Sequence, residues 1–454
     1  MKKLFLFLML AFSLVSCGNK QKERQTQSPI ETAARPKWVY DAVIYEVNTR
    51  QFTNEGTFNA FAEHLPRLNE LGVDILWFMP IQTIGEKDRK GTLGSYYSIK
   101  DYKEVNAEFG TLDDFKNVVQ QAHQLGMKVI LDWVGNHTSR DAVWVDEHPD
   151  WYKRDSLGNI TIMYDWTDIG PVDYENADMR AAMMDAMLFW VREADIDGFR
   201  CDVAGEVPTD FWKTVTDSLK TLKPDIFMLA EAEKPELNDN GIFDAYYAWD
   251  FHHKMNMVAQ GKENVDSLRL SLKRMNERFA PEAIPMYFTS NHDENSWNGT
   301  EFERMGDAAE AFAALTYVLP GMPLIYNGQE VGLERRLAFF EKDSIVWEDK
   351  ANFTDFYASM NAFKKANPAL LSQNRGGTFT EIENNQPQKV FSFRRVKDGN
   401  EIVSVFNLSK DVVEVSFSEE MPGIGFSGLN NEEEPAAATE WKLQPWEYRI
   451  FYKK

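Results

Sequence analysis

The stretch TLDDFKNVVQQAHQLGMKVILDWV, residues 111–134, contains one helix and one strand in direct succession. Thr111 followed by Asp114 three positions later forms a capping box, which begins a helix. Apolar residues then recur at helical spacing until Gly126, a residue type that often ends helices. The apolar run VILDWV follows immediately as a short strand. This succession predicts an amphipathic helix that leads directly into a buried strand.

Similar strand-like runs alternate with amphipathic segments over residues 38–372. A strand, a helix and a second strand in this rhythm predict parallel pairing with right-handed crossovers. Eight such repeats predict an α/β fold, a closed (β/α)₈ barrel of the TIM type. The predicted strands are VIYEV (43–47), ILWFM (75–79), VILDWV (129–134), GFRCD (198–202), FMLAEA (227–232), FDAYY (243–247), MYFTS (286–290) and PLIYN (323–327).

Two segments depart from this rhythm. From Thr138 to Glu175 an aromatic, Asp-rich segment separates the third strand from the next helix. Connections of this length are usually functional or form a subdomain, so we predict a domain inserted after strand 3 at residues 138–175. From residue 376 onward apolar residues come to occupy every second position, which is the period of a strand. We therefore predict a separate antiparallel β-sandwich at residues 376–454.

The N-terminus, MKKLFLFLMLAFSLVSC, has two lysines before a short apolar run, the pattern of a secretory signal peptide at residues 1–17. Its ending LVSC resembles the bacterial lipobox, in which the cysteine, here Cys17, carries the lipid. An ordinary cleaved signal is the alternative. The polar, proline-interrupted segment 18–37 predicts a flexible tether. We expect an exported protein whose only membrane association is the lipid anchor at Cys17, on the periplasmic face or the cell surface.

Composition argues against nucleic-acid partners and against a disulfide scaffold. The chain has 49 basic and 71 acidic residues, a formal net charge of −22 at pH 7. Nucleic-acid binding depends on Lys and Arg side chains that neutralise phosphates, so this composition favours a neutral substrate. Once Cys17 is lipidated, Cys201 is the remaining cysteine, and no intrachain disulfide can form.

Four predicted strands end in acidic residues: Asp132, Asp202, Glu231 and Asp293. The C-terminal ends of barrel strands meet at one mouth, where active sites form. Each acid alone has an ordinary explanation as a helix cap or a surface charge, but four at matching positions predict a functional cluster. A catalytic metal site is the weaker explanation, because the acids lack the close His and Asp spacing of metal ligands.

The sequence GFRCDVA, residues 198–204, places Arg200 and Asp202 on the same face of one strand. The arginine would keep Asp202 ionised as a nucleophile. Glu231 lies between two alanines without such a partner in sequence, and it would keep its proton more easily. Two carboxylates with these different tasks are what the hydrolysis of a glycosidic bond requires.

Five short motifs follow one another along the chain: GSYYSIKDY (94–102), DWVGNH (132–137), GFRCDVA (198–204), LAEAEKP (229–235) and TSNHDEN (289–295). Together and in this order they resemble the motifs of the α-amylase superfamily of glycoside hydrolases (glycoside hydrolase family 13). The resemblance extends from Trp38 to the C-terminus, and it implies that the insertion is the family's B domain, one wall of the cleft.

The resemblance implies catalytic roles for three matching residues. Asp202 would be the nucleophile and Glu231 the general acid/base. Asp293 would be the third carboxylate, which grips sugar hydroxyls near the transition state.

The resemblance also implies substrate-binding roles. Tyr97 would stack on the reacting sugar, and His137 and His292 would hydrogen-bond to it. Arg200 would support the nucleophile, while Asp132 would shape the mouth.

The family's structural calcium would take Asn136 of the first signature as a ligand. Two other ligand positions differ here: Pro171, within DIGPVD (168–173), stands where an Asp belongs, and Glu206 stands where a His belongs. Asp173 could serve after a shift of one or two residues, because hard oxygen ligands suit calcium. The differences argue against a structural calcium, and the chemistry itself requires no cofactor.

We expect a retaining, α-amylase-like hydrolase of α-glucosidic bonds in starch-like glucans or maltooligosaccharides, acting by double displacement through a covalent glycosyl-enzyme intermediate. A transglycosylase or branching enzyme, or an α-1,6-acting glucosidase, would use the same residues. A non-catalytic glucan-binding lipoprotein is the alternative of another class. It predicts the loss of a catalytic acid, whereas all three acids are present.

Overall fold

The computed structural model describes residues 35–349, 352–422, 427–429 and 438–454. The predicted signal peptide, Cys17 and all but the last three residues of the tether lie outside the described residues, so export and lipid anchoring stay predictions. Within the described ranges, no helix is long and apolar enough to cross a membrane.

Eight parallel strands close into a barrel, as the sequence predicts. Each predicted apolar run overlaps one observed strand, and the first strand pairs with both the second and the eighth, which closes the ring. In chain order the strands are β1 Ile44–Val47, β2 Ile75–Phe78, β3 Lys128–Trp133, β4 Gly198–Cys201, β5 Phe227–Ala230, β6 Ala245–Tyr247, β7 Ile284–Tyr287 and β8 Met322–Tyr326.

Alternation along the strands produces two cores. Alternate residues such as Ile75 and Trp77 of β2 belong to one buried cluster, which takes members from most of the barrel strands and fills the interior. The intervening residues, such as Leu76 and Phe78, belong to a larger cluster shared with the surrounding helices. Most of the barrel strands are therefore apolar on both faces, which is typical of parallel sheets covered by helices.

Helices follow the strands around the barrel. Leu112–Gln124 begins with the predicted capping box of Thr111 and Asp114, and Gly126 beyond its end has a φ of +84°. The α-helices of the described residues are Thr49–Phe52, Phe58–Ala62, Leu65–Leu71, Leu112–Gln124, Val143–Glu147, Ala177–Ala194, Thr209–Leu222, Pro235–Asn238, Trp249–Ala259, Val265–Arg278, Glu301–Met305, Ala309–Val318 and Phe353–Ala366.

Two hairpins rise from the barrel mouth. After β2, strands Gln82–Ile84 and Ile99–Val105 pair with each other. After β3, strands His137–Ser139 and Ile169–Pro171 pair and enclose the short helix Val143–Glu147. The second hairpin is the framework of the predicted insertion, which ends where helix Ala177–Ala194 begins.

The C-terminal region is antiparallel, as predicted. Its strands are β9 Thr378–Glu381, β10 Val390–Lys397, β11 Asn400–Asn407, β12 Val413–Met421, β13 Ser427–Gly428, β14 Ala438–Leu443 and β15 Tyr448–Lys453. One sheet has the strand order β9-β10-β11-β15-β13, and β12 pairs with β14 in a second sheet. Buried Arg395 on β10 donates hydrogen bonds to the carbonyl oxygens of Leu319 and Leu371, which joins this region to the barrel.

Candidate active site

A cavity of about 470 Å³ opens at the mouth of the barrel, beyond the C-terminal ends of the strands. The three predicted catalytic acids line it, together with Tyr97, His137 and His292; Arg200 lies beneath its floor. The remaining lining residues come from the loops and from the inserted hairpin. They are Lys90, Ser95, Asp165, Trp166, Asp168, Ile169, Val203, Trp297, Phe339 and Phe340.

Arg200 is the electrostatic centre of the site. It is completely buried on β4, and its Nη1 donates hydrogen bonds of 3.0 Å to one oxygen each of Asp132 and Asp202. Its Nη2 lies 2.9 Å from Glu231 Oε2, an ion pair without the alignment of a hydrogen bond. Glu231 thus has the same cationic partner as Asp202, a contact that sequence proximity did not indicate.

The two central carboxyls differ in proton affinity. Burial raises the pKa of Asp202 to about 6, against the opposing effect of Arg200. Burial raises the pKa of Glu231 further, to about 7, and the charge of Asp202 adds to the increase. Glu231 also accepts a 2.8 Å hydrogen bond from the backbone N–H of Val203, which orients it. At neutral to mildly acidic pH, Asp202 is the better anion and Glu231 the better acid.

Asp132 contributes more than the shape of the mouth. It is completely buried, and burial raises its pKa to about 6, opposed mainly by Arg200. Its Oδ2 accepts hydrogen bonds of 3.1 Å from Trp77 Nε1 and 3.0 Å from the hydroxyl of Tyr97. Asp132 therefore links the arginine to the aromatic side of the site.

Tyr97 and His292 form a connected pair at the floor of the cavity. The Tyr97 hydroxyl lies 2.8 Å from His292 Nε2, and the two rings stack with centroids 5.3 Å apart. Burial alone would lower the pKa of His292, but the nearby carboxylates of Asp293 and Glu46 outweigh it and raise that pKa to about 9. His292 is consequently a cation near neutral pH, poised to donate hydrogen bonds.

Glu46 is a member of the site that the sequence analysis missed. It is completely buried on β1 and hydrogen-bonds to His292 Nδ1. A glutamate inside the otherwise apolar run VIYEV was the available signal, because an acid inside a buried barrel strand needs a partner.

The aromatic loop residues of the cavity were also missed. Trp166 lies in the inserted hairpin, Trp297 follows β7, and Phe339 and Phe340 follow β8. Loop side chains carry no periodic signal, so the sequence alone could not distinguish these four cavity-lining aromatics from aromatics of the core.

Asn136 and Asp173, the two residues that could hold the family's calcium, both have protein partners here. Asn136 Nδ2 lies 3.3 Å from both the sulfur of Met163 and Nδ1 of His137. The carboxylate of Asp173 accepts a hydrogen bond from the backbone N–H of Glu175 and caps a turn. Across the described parts of the chain, no group of three or more His, Cys, Asp or Glu residues has a metal-binding arrangement.

Comparison with known proteins agrees with this architecture. A family model for the alpha-amylase catalytic domain matches residues 39–159 and 151–384. The chain belongs to the alpha-amylase family. It is accordingly a glycoside hydrolase with the TIM barrel and C-terminal β domain seen in solved members.

Individual relatives bear alpha-amylase and maltogenic amylase names. The alpha-amylase MalA of Haloarcula japonica is 29% identical over 393 residues, which make up 83% of this chain and 56% of that protein. An intracellular maltogenic amylase of Bacillus subtilis is 25% identical, over 92% of this chain and 75% of that protein. The chain thus spans little more than half of the Haloarcula relative.

Two solved structures match nearly the whole fold. A maltogenic alpha-amylase, AmyB, from Thermotoga neapolitana has a TM-score of 0.82 at 28% identity, covering 91% of this chain and 98% of that one. An alpha-amylase from Lactobacillus plantarum has a TM-score of 0.81 at 29% identity, covering 91% and 99%.

Proposed function

We propose that this chain hydrolyses α-glucosidic bonds in starch-like glucans or maltooligosaccharides with retention of the anomeric configuration. The observation that carries the proposal is that Asp202 and Glu231 share one buried cation, because both contact the guanidinium of Arg200. It holds two carboxyl groups with different proton affinities in one site, and double displacement needs one of them as an anion and the other as an acid.

In the first step, an Asp202 oxygen attacks the anomeric carbon, and the bond from that carbon to the glycosidic oxygen breaks. Glu231 donates its proton to that oxygen, so the leaving sugar departs with a free hydroxyl. In the second step, Glu231, now a carboxylate, takes a proton from water, and the water oxygen attacks the anomeric carbon and displaces Asp202. Two inversions leave the α configuration unchanged.

The remaining residues hold the sugar. The carboxylate of Asp293 offers an acceptor to sugar hydroxyls, and the positive charge on His292, whose Nε2 lies 3.4 Å from Asp293 Oδ2, stabilises that carboxylate. Burial lowers the pKa of His137 to about 4, so its imidazole is neutral and hydrogen-bonds without charge. The ring of Tyr97 supplies an apolar face at the floor.

A neutral α-glucan suits both the acidic composition and the names of the relatives. Phosphate-rich or anionic ligands would face a formal net charge of −22. The relatives include proteins named maltogenic amylase and cyclomaltodextrinase, and these names support a glucose-based substrate.

The test of this function is a proton NMR digest of maltoheptaose, and in a second sample of pullulan, by the chain from Gly18 onward. We expect the α-anomer of the new reducing ends to appear first, before mutarotation. Early appearance of the β-anomer would reject the double displacement through Asp202. No release from maltoheptaose or pullulan would reject the α-glucan substrate.

The pH dependence of kcat/KM is expected to be a bell with its maximum between the two carboxyl pKa values. Below about 6 the nucleophile Asp202 becomes protonated, so activity falls as the pH decreases. Above about 7 the acid Glu231 loses its proton, so activity falls as the pH increases. Initial rates on maltoheptaose from about pH 4 to about pH 9 measure both limbs. A rate that keeps rising across that range would contradict the assignment.

A further inference from the structure

Residues 85–94, here called the rim loop, form the first part of the connection between the two strands of the hairpin after β2. It runs along the edge of the cavity, and its Lys90 is one of the lining residues. Unlike a free surface loop, it contacts both neighbouring walls of the mouth.

On one side the rim loop is attached to the inserted hairpin. The backbone N–H of Glu86 donates a 2.9 Å hydrogen bond to the carboxylate of Asp141. Lys90 Nζ lies 3.4 Å from Asp168 Oδ1 and 3.5 Å from the carbonyl oxygen of Asp165. Both aspartates contacted by Lys90 line the cavity, so the lysine closes the edge between the two loops.

On the other side the rim loop is attached to the loop after β8. The N–H of Leu93 donates a 3.0 Å hydrogen bond to the carbonyl oxygen of Phe340, and the N–H of Thr92 donates one to Glu341. Gly91 lies so close to Phe340 that a Cβ at position 91 would be 2.5 Å from that of Phe340, and its φ is +63°. Only glycine permits this approach without displacement.

A buried arginine reinforces the attachment from beneath. Arg50, in the helix after β1, donates hydrogen bonds of 3.2 Å to the carbonyl oxygen of Leu93 and 3.0 Å to that of Gly94. It also reaches the carbonyl oxygen of Phe339, at 3.5 Å. The loops after β8, β1, β2 and β3, four adjacent strands of the barrel, thus form one continuous wall.

This wall stands opposite the acid. In the closed strand order, β5, which is followed by Glu231, is four strands from β1 and hence across the mouth from the wall. Glu231 must reach the oxygen of the leaving sugar, so the leaving portion of the glucan extends on the β5 side. The non-reducing portion then points at the rim loop.

We propose that the rim loop makes this enzyme exo-acting: it admits the non-reducing end of an α-glucan and stops the chain after one or a few glucose units. The cavity of about 470 Å³ has the size of a small-ligand site. The inference rests on the proposed hydrolysis of α-glucans and names the end of the substrate that is used.

The test compares 4-nitrophenyl α-maltoheptaoside with the same compound carrying a 4,6-O-benzylidene group on its non-reducing glucose. We expect sugar release from the blocked compound to be at least about 100-fold slower, because the added ring collides with the closed wall. Chromatography of the unblocked digest is expected to show short saccharides from the earliest times. Comparable rates on both compounds would overturn the inference while leaving the hydrolase intact, and no release from either would instead reject the proposed function.

Variants locate the effect. Replacing residues 86–93 by two glycines is expected to bring the ratio of the rate on the blocked compound to the rate on the unblocked compound close to one. Gly91→Val, which displaces the loop from Phe340, should increase this ratio by a smaller amount. Lys103→Ala is the matched control, since Lys103 lies on the same hairpin but pairs with Asp185 of helix Ala177–Ala194, outside the cavity. An unchanged ratio in a folded loop-replacement variant would overturn the assignment to the rim loop. If that variant does not fold, an unchanged ratio in Gly91→Val would overturn the assignment to the rim loop instead.

Discussion

Asp202→Asn is expected to lower the rate of sugar release from maltoheptaose by at least about 10⁴-fold, because an amide is too weak a nucleophile to form the glycosyl intermediate. The side chain keeps its size, and an amide oxygen can still accept the hydrogen bond from Arg200 Nη1, which is 3.0 Å from Asp202 Oδ1. The cavity is thereby preserved, so the variant should still be retarded by starch in affinity electrophoresis. Loss of release with retained binding separates chemistry from recognition.

The matched control is Asp210→Asn, which removes an exposed carboxylate paired with Arg180 on the protein surface. It is expected to release sugar at the wild-type rate. If Asp202→Asn retained activity within about tenfold of the wild type, the covalent mechanism through this residue would be wrong.

Arg200→Met is expected to lower the free energy of unfolding by about 3–5 kcal/mol, the usual cost of removing one partner of a buried ion pair. Here one cation serves three carboxyl groups, those of Asp132, Asp202 and Glu231. Its loss also removes an influence that lowers the pKa of Asp202, so that pKa rises. The acidic limb of the activity profile should therefore move to higher pH, in addition to a large decrease in rate.

Urea unfolding and the pH profile measure these two consequences separately. Arg180→Met is the control, because its pair with Asp210 is exposed and such pairs contribute about 1 kcal/mol or less. Equal losses of stability in the two variants would contradict the role of Arg200 as the shared cation. If the acidic limb of the remaining activity stayed at the wild-type pH, Arg200 would not lower the pKa of Asp202 as proposed.

The barrel was predictable because its signals are local. Each strand is a short apolar run, and the capping box of Thr111 and Asp114 marks the start of a helix whatever lies beyond it. Right-handed crossovers then leave few arrangements for eight such units. The antiparallel C-terminal sheets were predictable for the same reason, since a two-residue period is visible without knowledge of the partners.

The contents of the mouth were predictable only in part. Asp202, Glu231 and Asp293 follow strands, so the fold class alone brings them to one end of the barrel. The partnership of Glu231 with Arg200 joins two different strands, and the pairing of Glu46 with His292 joins residues 246 positions apart. Which side chains meet across a barrel depends on strand register, and the sequence carries no local mark of it.

By itself, the sequence determined the order of strands and helices, the strand ends that carry the acids and the motifs that resemble the alpha-amylase family. These properties depend on neighbouring residues and on periodicity. Only the tertiary structure decided how one arginine is shared and how the rim loop joins two walls of the cavity. Contacts such as Lys90 with Asp168 and Leu93 with Phe340 depend on distances between loops that are far apart in the chain, and those distances exist only once the barrel has closed.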